Sequence, residues 1–291
     1  MMFPDFARSR ISTAGATITA VHGGKGPPLL LLHGYPQTHV MWHKAAPLLM
    51  RHFTVVATDL RGYGDSTKPE SGPDHAGYSK RAMALDQVEV MSALGFESFF
   101  VAGHDRGGRV AHRMALDHPE RVRKLAVLDI VPTHRLYRDS TREFAAAYFW
   151  WFFLIQPAPL PETLIGNSVE FWVSEKLGKA APGAITSAAF SEYVRCYRDP
   201  ETIHASCEDY RAAASIDLVH DGDDLHRKVD CPLLALWGED APMHRLYDVA
   251  ETWRERAADV TGVSLPGTHY FVEEIPERIA EELTRFFVGR A

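Results

Sequence analysis

Residues 99–109 read Phe-Phe-Val-Ala-Gly-His-Asp-Arg-Gly-Gly-Arg, and they constrain the fold more than any other segment. An apolar run enters a turn in which glycines flank Asp105. A helix follows, with Val110, Ala111, Met114 and Ala115 on its buried side, until Pro119 ends it. Glycines at these places permit a strained strand-to-helix turn that holds one side chain exposed at its apex. A strand of this kind needs neighbours, and five further short apolar runs supply them: Pro28 to His33, Phe53 to Asp59, Lys124 to Ile130, Pro232 to Trp237 and Val260 to Pro266. Helix-length segments separate the runs. The pattern predicts an α/β protein with a mostly parallel central sheet flanked by helices. In such a sheet ligands bind beyond the carboxyl ends of the strands, so the residues just after each run are the candidates for function.

The alternation lapses between Val131 and Leu218. Trp150, Trp151, Phe152, Phe153, Phe171 and Trp172 crowd there, with prolines at 157, 159 and 161. We read 132–216 as a helical cap inserted between two strands of a core made of 1–131 and 217–291. The tail closes the core as an amphipathic helix from Ile275 to Val288, with Ile279, Leu283 and Phe286 or Phe287 on one stripe.

Composition removes several classes of function. Of the 291 residues 46% are hydrophobic and 24% charged, an ordinary globular mix. The net charge of −7, from 31 basic and 38 acidic residues, leaves no basic stripe for a phosphate backbone, so nucleic acid is excluded as a partner. The longest uncharged apolar stretch, Phe144 to Ile155, falls well short of the roughly 20 residues that cross a bilayer. No membrane partner is expected. The first ten residues lack the apolar core of a secretory signal, and Cys196, Cys207 and Cys231 form neither a CxxC pair nor a zinc spacing. A reducing, cytoplasmic setting follows as the expectation, with no metal.

Aspartate at the apex of the turn selects the chemistry. A carboxylate can displace a leaving group from saturated carbon and leave an alkyl ester on the enzyme, which a second step must hydrolyse. That step needs a base, a carboxylate to orient it, and N–H donors for the oxyanion. His269, after the last strand in Gly267-Thr268-His269-Tyr270, is the candidate base. Asp129, at the end of Leu125 to Ile130, and Asp240, after Trp237-Gly238-Glu239, are both placed to orient it, with Asp129 favoured. The backbone N–H groups of Tyr35, in His33-Gly34-Tyr35-Pro36, and of Arg106 are the candidate oxyanion donors. No Gly-x-Ser-x-Gly occurs, which excludes a serine esterase.

Arg106 and Arg109 are three apart at the start of one helix, so their like charges repel and an anion should lie between them. A substrate carboxylate held there would present its α-carbon to Asp105. The plainer alternative is that one arginine pairs with an acid on the cap.

These segments, with Val127-Leu128-Asp129-Ile130-Val131-Pro132-Thr133 and Cys207-Glu208-Asp209-Tyr210-Arg211-Ala212, resemble the dehalogenase and epoxide hydrolase branch of the α/β-hydrolases, and most closely the fluoroacetate or haloacetate dehalogenases. The resemblance spans nearly the whole chain. It implies cleavage of 2-halocarboxylates to 2-hydroxy acids without a cofactor, a halide pocket at Trp150, Trp151 and Tyr210, and commonly a homodimer. The sequence departs from the family at Trp150, where fluoroacetate-cleaving members typically carry histidine. Chloroacetate and bromoacetate are therefore the expected substrates, and fluoroacetate the harder case. The rival within the branch is an epoxide hydrolase, which uses the same aspartate and histidine but usually has tryptophan where this chain has Arg106. A silent carboxylate-binding protein is the rival outside catalysis.

Overall fold

The computed structural model describes residues 2–289. Eight strands form one sheet: β1 (Ala7–Ser12), β2 (Thr17–Gly24), β3 (Pro28–Leu32), β4 (Thr54–Thr58), β5 (Phe99–His104), β6 (Val122–Leu128), β7 (Leu233–Gly238) and β8 (Val260–Leu265), in the order β1-β2-β4-β3-β5-β6-β7-β8. From β4 to β8 every pairing is parallel, whereas β2 runs antiparallel to β1 and β4. The central strands are apolar at nearly every position because helices cover both faces, and Leu29 to Leu32 and Phe99 to Ala102 are all buried.

The six expected strands form, each within about two residues of its expected ends. β1 and β2 were not among them. β1 is the edge strand, with four of its six residues exposed and only Ala7 and Ile11 apolar, and β2, between β1 and β4, buries only the short stretch Ile18 to Val21, which Thr19 interrupts. Between β6 and β7 the chain is helical, from Thr133–Arg138 to Ile216–Asp223, which sets the cap over the carboxyl ends of the strands. The tail helix Pro276–Val288 buries Ile279, Leu283 and Phe287, and Phe287 stacks on Phe100 with ring centroids 5.0 Å apart. No described helix is long and apolar enough to cross a membrane.

Candidate active site

β5 ends at His104, and Asp105 sits between it and the helix Arg106–Asp117 with φ 46° and ψ −115°, a backbone state that L-residues rarely adopt. The turn closes so tightly that a Cβ on Gly103 would lie 2.4 Å from the Gly107 carbonyl oxygen, and one on Gly107 would lie 2.5 Å from that of His33. The flanking glycines are thus required by contact with neighbouring backbone. β6 delivers a second aspartate in the same manner: Asp129 follows Leu128 with φ 52° and is fully buried.

The carboxylates, the histidine and the backbone donors meet at the sheet edge. His269 Nδ1 lies 2.5 Å from Asp129 Oδ2, and the Gly238 N–H donates to Asp129 Oδ1 at 3.2 Å. Asp240 is exposed and its backbone N–H is taken by the Gly267 carbonyl, so of the two candidate acids Asp129 is the one that reaches His269. The Tyr35 N–H donates to Asp105 Oδ2 at 3.1 Å. Behind them the imidazoles of His104 and His269 lie 4.5 Å apart, and His104 Nε2 is 2.8 Å from the His269 carbonyl oxygen, which ties the loop that carries the candidate base to β5.

Electrostatics poise the pair. Burial favours neutral imidazole at His269, but the hydrogen bond to Asp129 and the charges of Asp129 and Asp105 outweigh it and raise its pKa above 6.5. Burial also works against ionised Asp105, yet His269, Arg109, His104 and Arg106 hold its pKa below the ordinary carboxylate value. Asp105 is ionised at neutral pH, as a nucleophile requires.

The two arginines are treated differently. Arg106 is fully buried and spends three N–H donors on the cap: Nε on Asp209 Oδ2 at 2.9 Å, and Nη2 on Asp209 Oδ1 at 2.7 Å and on the Asp209 carbonyl at 2.9 Å. Asp209 also accepts from Tyr63 Oη at 2.7 Å and from Lys80 Nζ, and these cations hold its pKa far below normal despite burial. The anion beside Arg106 is therefore already supplied by the cap, and only its Nη1 is left without a partner. Arg109 places Nη1 on the Val131 carbonyl and Thr133 Oγ1, both at 3.0 Å, and leaves Nε unpartnered. Among the described residues it has no carboxylate within 4.0 Å. Burial and the Arg106 charge pull its pKa down to about 10 against the attraction of Asp105.

Trp151 and Tyr210 close over these guanidiniums. Arg106 Cζ lies 4.1 Å from the Tyr210 ring centroid, Arg109 Cζ lies 4.6 Å from that of Trp151, and the two rings meet edge to face at 5.7 Å. The buried Tyr210 hydroxyl has no hydrogen-bond partner among the described residues. Trp150 makes no such contact with either guanidinium among the described residues: its ring neighbours are Tyr148 and Phe149, and Lys176 Nζ lies 3.8 Å from its centroid.

Three contributors escaped the sequence reading. Asp209 stands within a segment quoted for its resemblance, but nothing in its spacing shows which arginine it meets. Tyr148, two residues before Trp150, is buried with a free hydroxyl and feels the charges of Asp129, Asp105 and Arg109. Glu273 Oε2 accepts from Gln37 Nε2 at 2.5 Å and Tyr193 Oη at 3.1 Å, tying the Tyr35 loop, the His269 loop and the cap together. Burial drives its carboxyl up to about 8, so it is protonated at neutral pH.

A family model described as the α/β-hydrolase fold matches residues 27–274. A fluoroacetate dehalogenase from Burkholderia sp. is 49% identical over 288 residues, 98% of this chain and 95% of its own length. A soluble epoxide hydrolase from Corynebacterium sp. (strain C12) is 34% identical over 276 residues, 92% of each chain. A solved structure from Nostoc sp. PCC 7120, provisionally described as an α/β-hydrolase, is 58% identical and superposes with a TM-score of 0.97 over 99% of both chains. The chain belongs to the α/β-hydrolase family. Within it the protein groups with the fluoroacetate dehalogenases, hydrolases that act on carbon–halide bonds.

Proposed function

We propose that the protein hydrolyses 2-halocarboxylates, haloacetates above all, to 2-hydroxy acids and halide through an ester on Asp105. The observation that carries this reading is the nucleophile itself. A buried, ionised aspartate stands at the apex of the elbow, beside unpartnered donors on Arg106 and Arg109 that suit a second carboxylate.

In the first step an Asp105 carboxylate oxygen forms a bond to the α-carbon, and the carbon–halogen bond breaks with its electron pair leaving as halide. Arg106 Nη1 and Arg109 hold the substrate carboxylate and offset its repulsion from Asp105. Trp151 Nε1 and the free Tyr210 hydroxyl are the donors for the departing halide. In the second step His269, oriented by Asp129, takes a proton from water. The hydroxide attacks the ester carbon of Asp105, and the N–H groups of Tyr35 and Arg106 receive the oxyanion. Collapse releases the 2-hydroxy acid, restores Asp105 and leaves the proton on His269 to pass to solvent. No metal or nucleotide enters these steps.

Epoxide opening is the second reading. It is favoured by the two buried tyrosine hydroxyls without partners, Tyr148 and Tyr210, which could protonate an epoxide oxygen. One assay decides: halide and 2-hydroxy acid released from fluoro-, chloro- and bromoacetate, with Asp105→Asn as control. Cleavage of chloroacetate by the wild type and none by the variant supports the dehalogenase. Inertness toward all three acids, with simple epoxides opened, replaces it by the epoxide hydrolase.

A further inference from the structure

The substrate of the proposed reaction is a small anion, and the protein it must enter carries a net charge of −7. The reacting groups lie under the cap, with Asp105, Arg106, Arg109, Trp151 and Tyr210 all buried. Some path through the cap has to attract a negative charge and pass it inward.

The charge pairing of the cap marks one place for it. Within 132–216 every arginine, from Arg135 to Arg211, has a carboxylate within 4.0 Å. The two lysines, Lys176 and Lys179, have none among the described residues. Lys176 is only 3% exposed, and its ammonium faces three rings instead of an acid: Trp150 at 3.8 Å, Phe149 at 4.2 Å and Trp172 at 4.8 Å from their centroids. Lys179 is exposed and reaches the same Trp150 ring at 4.9 Å. In its protonated form, an ammonium held by ring faces with no carboxylate in contact projects a positive field that is only partly offset by the more distant Glu175. The rings present their positive edges away from the cation, a rim suited to an anion. Burial and the like charge of Lys179 lower the Lys176 pKa to about 7 against the opposing charge of Glu175, so that at neutral pH Lys176 is ammonium about half the time and Lys179 carries the outer charge.

The cage also touches both the surface and the loops of the site. On its outer side Phe149 is 48% exposed. On its inner side Trp172 Nε1 donates to the Tyr35 hydroxyl at 2.6 Å, the Tyr270 hydroxyl donates to the Lys176 carbonyl at 2.7 Å, and the Trp150 ring lies 5.1 Å from that of Tyr148. Tyr35 carries the candidate oxyanion donor, Tyr270 follows the candidate base, and Tyr148 feels Asp105 and Asp129.

We propose that Lys176 and Lys179, with the Trp150 ring beneath both ammonium groups, form an anion portal through which small monocarboxylates reach Asp105. On this view Trp150 belongs to the passage and not to the halide pocket. The proposal rests on the haloacetate reading, so its test needs one arm that does not.

In the first arm, chloroacetate binding to Asp105→Asn is followed by stopped-flow tryptophan fluorescence, with and without the pair Lys176→Met and Lys179→Met. Removing the cations should lower the association rate about tenfold at low salt. Dissociation should slow by a similar factor, leaving Kd little changed, and added salt should narrow the gap. The arginine pair at both positions should restore the rate. In the second arm, emission of the otherwise wild-type protein is quenched by iodide and by neutral acrylamide. The methionine pair should reduce the iodide constant about twofold and leave acrylamide quenching unchanged.

An association rate indifferent to both lysines overturns the portal, as does a shift in Kd with no change in rate, which is what a merely structural role would give. Reduced iodide quenching with an unchanged chloroacetate rate would assign the route to the departing halide and overturn it as the substrate's path. If Asp105→Asn binds no haloacetate, the proposed function fails, and the iodide arm alone then decides whether the lysines draw in small anions.

Discussion

The floor and the roof of the site are held by different physics. On the floor, Asp105, Asp129 and His269 stand at the ends of β5, β6 and β8, where backbone hydrogen bonds and strand register fix their positions. On the roof, Asp209, Tyr210, Trp151 and Trp150 come from cap helices and are placed by charge pairs and stacked rings. On the proposed reading the floor carries the bond-breaking chemistry. The roof, on the same reading, holds the substrate, so changes to the two should fail in different ways.

The largest effect is expected on the floor. Asp105→Asn should lower turnover by at least about 10³-fold, with folding intact, as read by halide release and circular dichroism. His269→Gln should separate the two steps: one equivalent of halide is released in a burst, and the carboxymethyl ester on Asp105 accumulates and is seen by mass spectrometry. Steady halide release from that variant would show that His269 is not the base.

Roof substitutions should act on binding. Asp209→Asn leaves Arg106 and Lys80 buried with their shared acid neutralised, and should raise KM for chloroacetate about tenfold while destabilising the fold by about 3 kcal/mol. An unchanged KM with lowered stability would confine Asp209 to a structural role.

The pH dependence sharpens the contrast further. His269 must be neutral to take a proton from water, and its pKa is raised above 6.5 in the folded protein. The acid limb of kcat should accordingly fall at a pH above 6.5, and it should move down in Asp129→Asn, which removes the charge that raises it.

Glu273, which joins floor and roof, gives the smallest effect. Its carboxyl keeps its proton up to about pH 8 when folded and loses it near 4.5 when unfolded. The stability this retained proton contributes is fully present below 4.5 and is lost as pH rises toward 8. Glu273→Gln keeps an acceptor for Gln37 and Tyr193 and should flatten that loss by on the order of 2 kcal/mol, measured as denaturant stability at pH 5 and pH 8.

The same division explains what the sequence could show. Parallel strands buried on both faces leave continuous apolar runs, and the residue that ends such a run is carried to the sheet edge, so Asp105, Asp129 and His269 could be read from local pattern. β1 could not, because an edge strand has no need of a continuous apolar run, nor could β2, whose buried stretch of four residues includes Thr19 and is followed by His22-Gly23-Gly24. Arg106 and Asp209 are 103 residues apart, and no spacing rule says that Asp209 meets Arg106 and leaves Arg109 free of an acid. Trp150 was read by position alone, which gave its neighbours in the chain but not the lysine over its ring.

Asp105 and Asp129 both occupy left-handed backbone, where an L-residue costs on the order of 1–3 kcal/mol. Folding alone would favour glycine at either place. A lineage that had given up the reaction and kept only a carboxylate pocket would be free to drift there, since selection would no longer defend the strain. The two aspartates thus speak against a retired enzyme: they stand where neglect would remove them first.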